Sequence, residues 1–332
     1  MSDFDLLRLP SLLDPTAPAY KDWFHLNLFD HAGGGVALVN VLLHGAPVDE
    51  RARAVGAALL HAPGEGWCGN VEIAGFDEAT IVPAGILLAN VAIMVDPTGR
   101  TLHASARLPE EALALDLRGT AAARPIRIEF AEPFGSGWIA WFVVPQLRLQ
   151  GQLTLGGRIF DLAAWTAYHD HNWGRWFWGE DIGWEWGAFA APAPGPLFVL
   201  AQLTDRLHRR RYPAHLIVVQ DGQSRTFRAG VTIRHEGRAE VPLRRLPGAL
   251  AALNGDRARP ALPARLTVEA AAGADWVRLS FATRAAAQLI EGEPMRPGYA
   301  FIHELVGGFE AVGRVRDQDV SATGLAVFEY VT

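Results

Sequence analysis

Turn sequences built on glycine and proline recur along the chain at hairpin spacing, and that punctuation leaves little room for helices. Gly33 to Gly35 precede an apolar run at 36–43. Asp96-Pro-Thr-Gly-Arg100 separates 84–95 from 101–108, Gly156-Gly157 separates 147–155 from 158–167, and Asp221-Gly222 separates 214–220 from 225–234. Each pairs two strand-like runs across residues that supply the φ values of a tight turn. Further strands are expected at 197–203, 264–270, 276–281 and 325–330. Helical periodicity is confined to 50–61 and 244–253, the second ended by Asn254-Gly255. Many short strands joined by tight turns predict an all-β chain of the barrel or sandwich type with few short helices. At 332 residues the chain has material for two domains. The Pro-rich Ala191-Pro-Ala-Pro-Gly-Pro196 is a linker or a hairpin tip, and a provisional boundary there gives domains of 1–190 and 191–332.

Charge removes several function classes. A net charge of −6 argues against a nucleic-acid partner, because binding phosphates needs a basic surface. The one basic cluster, at 206–211, reads as a solvated loop. No apolar stretch is long enough to span a bilayer; residues 82–95 contain Pro83 and Asn90. No stable membrane insertion is expected, and peripheral contact is left open. Cys68 is the only cysteine, and the acidic start of the chain lacks the features of a signal peptide, so the cytoplasm is the expected location. Lys21 is the only lysine, which disfavours Schiff-base chemistry and a lysine phosphate clamp. Oligomeric state cannot be read from the chain.

Two motifs fail on context. Gly64-Glu-Gly-Trp-Cys-Gly69 fits the dinucleotide pattern literally, but a helix-like segment precedes it and a strand-like one follows, the reverse of what that motif needs. No cofactor is expected. His169 and His171 share one face of a strand, yet the next carboxylate after them, Glu180, is nine residues on, so no metal is expected either.

The third motif carries chemistry. If 160–172 is a strand, Leu162, Ala164, Thr166, Tyr168 and Asp170 share a face that is mostly apolar and ends in a phenol and a carboxyl. Desolvation there would raise the carboxyl pKa and keep it protonated, as a general acid must be. Six of the eleven tryptophans crowd into the 22 residues from Trp165 to Trp186. Indole faces stabilise cations and offer no nucleophile to trap them. An acid among aromatic faces suits protonation of an alkene; the competing readings are a tryptophan core and an Asp170 that caps a turn or pairs with Arg175.

Three blocks together resemble the carotenoid 1,2-hydratase (hydroxyneurosporene synthase) and AttH-like family. Asp22-Trp-Phe-His25 looks like that family's N-terminal E-W-W-Y strand, Ala167-Tyr-His-Asp-His-Asn-Trp-Gly174 is similar to its central D-H-x-W-G signature, and Gly183-Trp-Glu-Trp-Gly187 resembles its G-W-D-W-F block. Pro260-Ala-Leu-Pro-Ala-Arg265 faintly resembles a C-terminal Y-P-x-x-W element. The resemblance implies two tandem lipocalin-like β-barrel or sandwich domains and a hydrophobic, unsaturated substrate. It also implies that Asp170 and Tyr168 match the family's Tyr-x-Asp motif, whose Asp is proposed to protonate a terminal C=C. Two positions depart from the pattern. The family's His-x-Trp, about one strand earlier, is Trp138-Ile-Ala-Trp141 here with no histidine, and the first block ends in His25 rather than Tyr.

The expected activity is therefore cofactor-independent protonation of a C=C bond in a terpenoid or polyene, ended by hydration or cyclisation. Asp170 and Tyr168 are the catalytic pair; His169, His171, Trp173, Trp184, Trp186, Trp141, Trp23 and His25 are the expected substrate contacts. A pericyclase that gains rate by folding a polyene, and a carrier of hydrophobic ligands, are the alternatives.

Overall fold

A computed structural model describes residues 3–10, 17–46, 50–127, 132–247, 261–293 and 297–332. Among these, the only helical segments are four 3₁₀ turns of three residues each, and no helix is long and apolar enough to cross a membrane. The rest is strand and turn. Two sheets divide the chain, and the crossover from one to the other lies between Arg175 and Gly183. The Pro-rich 191–196 segment is a hairpin tip inside the second sheet, joining Gly183–Ala190 to Leu197–Thr204, with the Ala191 amide donating to the Pro196 carbonyl at 3.1 Å.

The first sheet has Tyr20–Asp30 at its centre, flanked by Gly35–His44 and Thr166–Arg175, with Gly137–Leu155 beyond. The hairpin closing Tyr20–Asp30 is fixed by its glycines. A Cβ on Gly33 would sit 2.2 Å from Asp30 Oδ2, and Gly34 adopts a φ of 74°. The pairing of Gly137–Leu155 with Thr166–Arg175 breaks register between Val144 and Leu147, around Pro145, which has no N–H to give the ladder. The second sheet centres on Gln318–Val331, between Gly183–Ala190 and Tyr299–Val315, with Asp275–Gly292 next. Its pairings are antiparallel except Leu243–Leu246, which runs parallel to Asp275–Gly292.

Each sheet curls around a core of its own. Phe24, Leu26, Val39, Ile93, Leu117 and Phe142 converge inside the first; Phe189, Phe198, Leu279, Phe309 and Phe328 fill the second. The central strands are buried on their outer faces as well, because those faces meet. Phe29, Val143, Tyr168, Ala188, Val306 and Val327 form a third cluster that joins the sheets, and an aromatic cluster of Phe134, Trp176, Trp178 and Trp184 continues it.

Several sequence expectations change here. Residues 50–61 hold no helix: Arg53–Ala62 is a strand, buried on both faces over 54–60 so that no alternation marks it. Leu243–Leu246 is likewise a strand, and most of the helix expected at 244–253 lies outside the described residues. The run at 160–172 is interrupted by the Leu162–Ala164 turn, capped by Asp161 accepting from the Ala163 amide at 3.0 Å. Tyr299–Val315, seventeen residues long, was not marked by the turn pattern.

Packing gives a direct check. Phe24 is fully buried, so Phe24→Ala should lower unfolding free energy by about 3–5 kcal/mol in urea titration. Trp276 is 46% exposed, and Trp276→Ala should change it by no more than about 0.5 kcal/mol.

Candidate active site

Period-two alternation sorts the Thr166–Arg175 strand into two chemically distinct faces. Tyr168, Asp170 and Asn172 point outward, into the seam between the sheets. His169, His171 and Trp173 point into the first sheet's own core.

On the seam face, Tyr168 Oη donates to Asp170 Oδ2 at 2.7 Å, and Asn172 Nδ2 donates to Asp170 Oδ1 at 2.6 Å. Cross-strand register sets His25 directly beside Asp170, and Trp23 and Trp141 on either side of Asn172. The second sheet supplies the facing wall: Trp184 and Trp186 from Gly183–Ala190, and Glu329 from Gln318–Val331, which pairs with Trp186. A narrow cleft lies between the walls. A second cavity shares Trp23, Trp184 and Glu329 with the first and extends to Leu289, Glu291 and Glu304.

Burial dominates the electrostatics. It pushes the Asp170 carboxyl above the usual carboxylate range, against the opposing pull of His25, Tyr168 and Asn172. Burial also raises the Tyr168 phenol well above its ordinary range, so Tyr168 acts as a neutral donor. Glu304 and Glu329, directly opposite each other on adjacent strands, are both pushed up by burial, Glu304 well above its ordinary range. His25 Nε2 lies 3.1 Å from Asn27 Oδ1, its Nδ1 3.6 Å from Glu329 Oε1, and its ring packs on Trp186 at 5.4 Å between centroids.

Of the expected substrate contacts, Trp23, His25, Trp141, Trp184 and Trp186 meet at the cleft with Asp170, while Tyr168 sits behind Asp170 and against Trp186 at 5.3 Å. His169, His171 and Trp173 do not join them, since odd positions on this strand face the other way. His169 Nδ1 contacts the His25 carbonyl at 2.9 Å, and its ring packs between Phe4 and Phe24. Burial pulls it down to about 3, leaving it neutral. His171 bridges Asp22 Oδ1 at 2.7 Å and Asp5 Oδ2 at 3.2 Å, and Trp173 lies over the His171 ring and under the Arg8 guanidinium. Through Asp5, His171 ties the N-terminal segment to the first sheet. Lys21 is buried as well, its Nζ donating to the Trp176 carbonyl, ion-paired to Glu293 at 3.4 Å and flanked by the Trp176 and Trp178 rings.

Glu329, Glu304 and Asn172 were not among the expected site residues. A signal existed for the first: Glu329 interrupts the apolar run Leu325-Ala-Val-Phe-Glu-Tyr-Val331, the same pattern that singled out Asp170.

No family model matches the chain, and no curated protein does. Solved structures match over nearly its whole length. A protein described as an AttH from Nitrosomonas europaea superposes with a TM-score of 0.68 at 12% identity, covering 97% of each chain. Kievitone hydratase from Nectria haematococca gives 0.65 at 13% identity, over 99% of this chain and 98% of its own. CghA with Sch210972 gives 0.57 at 12%, over 95% and 88%. At such identities the likeness is one of fold: the chain has the tandem lipocalin-like architecture of AttH-like proteins.

The His171 bridge has a pH signature. Burial alone would lower the His171 pKa, but Asp22 and Asp5 outweigh it and raise it above 6.5. Burial alone would raise Asp5, but His171 and Arg8 bring it down to about 2 from 3.8. The His171 contribution is complete below 6.5 and is lost as pH rises through the higher folded value; the Asp5 contribution is complete above 3.8 and is lost as pH falls towards 2. Urea unfolding across pH should show His171→Gln costing most stability between about 4 and 6.5 and progressively less above. A cost independent of pH would rule out the charged bridge.

Proposed function

We propose that this protein is a cofactor-independent enzyme of the hydratase or cyclase type, which protonates a C=C bond of a hydrophobic terpenoid or polyene bound in the seam between its two sheets. One observation carries the reading. Asp170 is a buried carboxyl held in a fixed orientation by Tyr168 and Asn172, opposite a wall of tryptophans. Such a carboxyl, kept neutral by desolvation, is the general acid that alkene protonation requires.

The steps follow from the walls. The π electrons of the alkene take the Asp170 proton, leaving Asp170 a carboxylate and the substrate a carbocation. The faces of Trp23, Trp141, Trp184 and Trp186 surround that cation and exclude bulk water. Tyr168 steadies the newly formed carboxylate by the hydrogen bond it already makes. Water admitted to the cleft, or a second alkene of the same substrate, then quenches the cation. The histidine absent from the Trp138-Ile-Ala-Trp141 segment has a counterpart in His25, which reaches Asp170 from the opposite neighbouring strand. Fold kinship with kievitone hydratase and CghA supports a hydratase or cyclase.

A second reading shares the same cleft. Its narrow aromatic walls also suit a pericyclase, which would gain rate by confining a polyene in a reactive conformer, with Asp170 as a hydrogen-bonding group only.

Asp170→Asn separates the two. The acid mechanism predicts at least about a hundredfold loss of rate with substrate binding retained. Wild-type turnover should decline as pH rises through the elevated Asp170 pKa, since only the protonated form donates. In D₂O the product should carry deuterium on carbon. Full activity in the Asn variant, with no deuterium on carbon, would replace the acid by the pericyclase.

A further inference from the structure

Opposite Asp170, on the second sheet's wall, stands a pair of carboxyls. Glu304 and Glu329 face each other directly across adjacent strands, and both are at least nine-tenths buried. Two like charges so placed repel, and burial makes the repulsion worse, so the pair holds a proton between its members.

Geometry decides which member keeps the proton. Glu329 Oε2 accepts a 2.7 Å hydrogen bond from Trp184 Nε1, and its Oε1 lies 3.6 Å from His25 Nδ1. Glu304 Oε2 is buried with no hydrogen-bond partner among the described residues. A negative charge is better supported on Glu329, so Glu304 carries the proton and donates it to Glu329. The groups facing Glu329 are then Trp184 on its own sheet, His25 and Asp170 from the first sheet, and a neutral Glu304; Glu291 borders the second cavity with it. Glu329 lines both cavities, which puts its carboxylate at the junction between the acid's cleft and the space beyond.

We infer that Glu329 is the catalytic base of this site, with Glu304 as the residue that positions it and fixes its charge. The inference rests on the proton-transfer reading of the cleft and completes it. Asp170 gives its proton to the alkene; a water lone pair forms the C–O bond to the resulting cation. The water O–H bond then breaks, its electrons stay on oxygen, and its proton passes to Glu329. Glu329 returns that proton to solvent, and Asp170 takes one back. The net change is alkene plus water to alcohol, and it needs no further reactant. A carboxylate that burial has made more basic than usual is suited to accept a proton near neutrality.

The test uses farnesol and squalene as probes, both bearing trisubstituted alkenes, with wild type, Glu329→Gln, Glu304→Gln and Asp170→Asn in D₂O. Glu329→Gln should lose alcohol formation at least about a hundredfold. It should still move deuterium onto carbon of recovered alkene, because protonation by Asp170 is intact and reversible. Asp170→Asn should lose both. Infrared spectra of the unliganded folded protein at neutral pH read the proton directly: the neutral-carboxyl band should lose intensity in Glu304→Gln and keep it in Glu329→Gln. Alcohol formation undiminished in Glu329→Gln, or band intensity lost with Glu329 rather than Glu304, overturns the assignment. Wild type that places no deuterium on carbon of either probe overturns the proton-transfer reading beneath it, and the base with it.

Discussion

The outer faces of two curled sheets are pressed together, and the chemistry of this protein follows from that contact. A curled sheet ordinarily keeps its apolar residues inside and turns polar ones to water. Here Tyr20–Asp30, most of Thr166–Arg175, Gly183–Ala190 and the 325–331 half of Gln318–Val331 bury both faces, one around each sheet's own core and one in the shared seam. Desolvation of the seam makes a carboxyl there expensive to ionise, and it pushes Asp170, Glu304 and Glu329 above the usual carboxylate range.

Other buried charges are paired. His171, on the first sheet's inner face, lies between Asp5 and Asp22, and Lys21, on the same face of its strand as Trp23, is paired with Glu293 under two indoles. Each such group has an opposite charge within reach, so its ionisation is stabilised and its position fixed. Asp170, Glu304 and Glu329 are less compensated: His25 Nδ1 lies 3.6 Å from Glu329 Oε1. Paired charges hold the scaffold, while under-compensated carboxyls face the cleft, where perturbed groups are expected to do chemistry.

Much of the fold was legible because turns declare themselves locally. Gly33 to Gly35, Gly156-Gly157 and Asp221-Gly222 each close a hairpin in the structure. Asp170 was legible because a lone carboxyl stood on an apolar face, and Tyr168 because it is two residues away on the same face. What escaped depends on partners distant in sequence. Arg53–Ala62 is apolar on both sides since the sheet and the seam region both cover it, so it showed no strand alternation. His169, His171 and Trp173 were grouped with Asp170 by proximity along the chain, although a strand sends them to the opposite face. Glu329 acquires its meaning only when Gln318–Val331 pairs with Gly183–Ala190 and sets it beside Trp186, some 140 residues away.

The central claim is that ligand enters the seam, not the interior of either sheet. Indole ¹⁵N–¹H resonances, assigned by single Trp→Phe replacements, test it directly during titration with farnesol. The account predicts large shifts for Trp23, Trp184 and Trp186, which line the cleft, and none for Trp165 or Trp173, which pack against the first sheet's core. Shifts at Trp165 and Trp173 with the seam tryptophans unmoved would place the ligand inside the first sheet and contradict it.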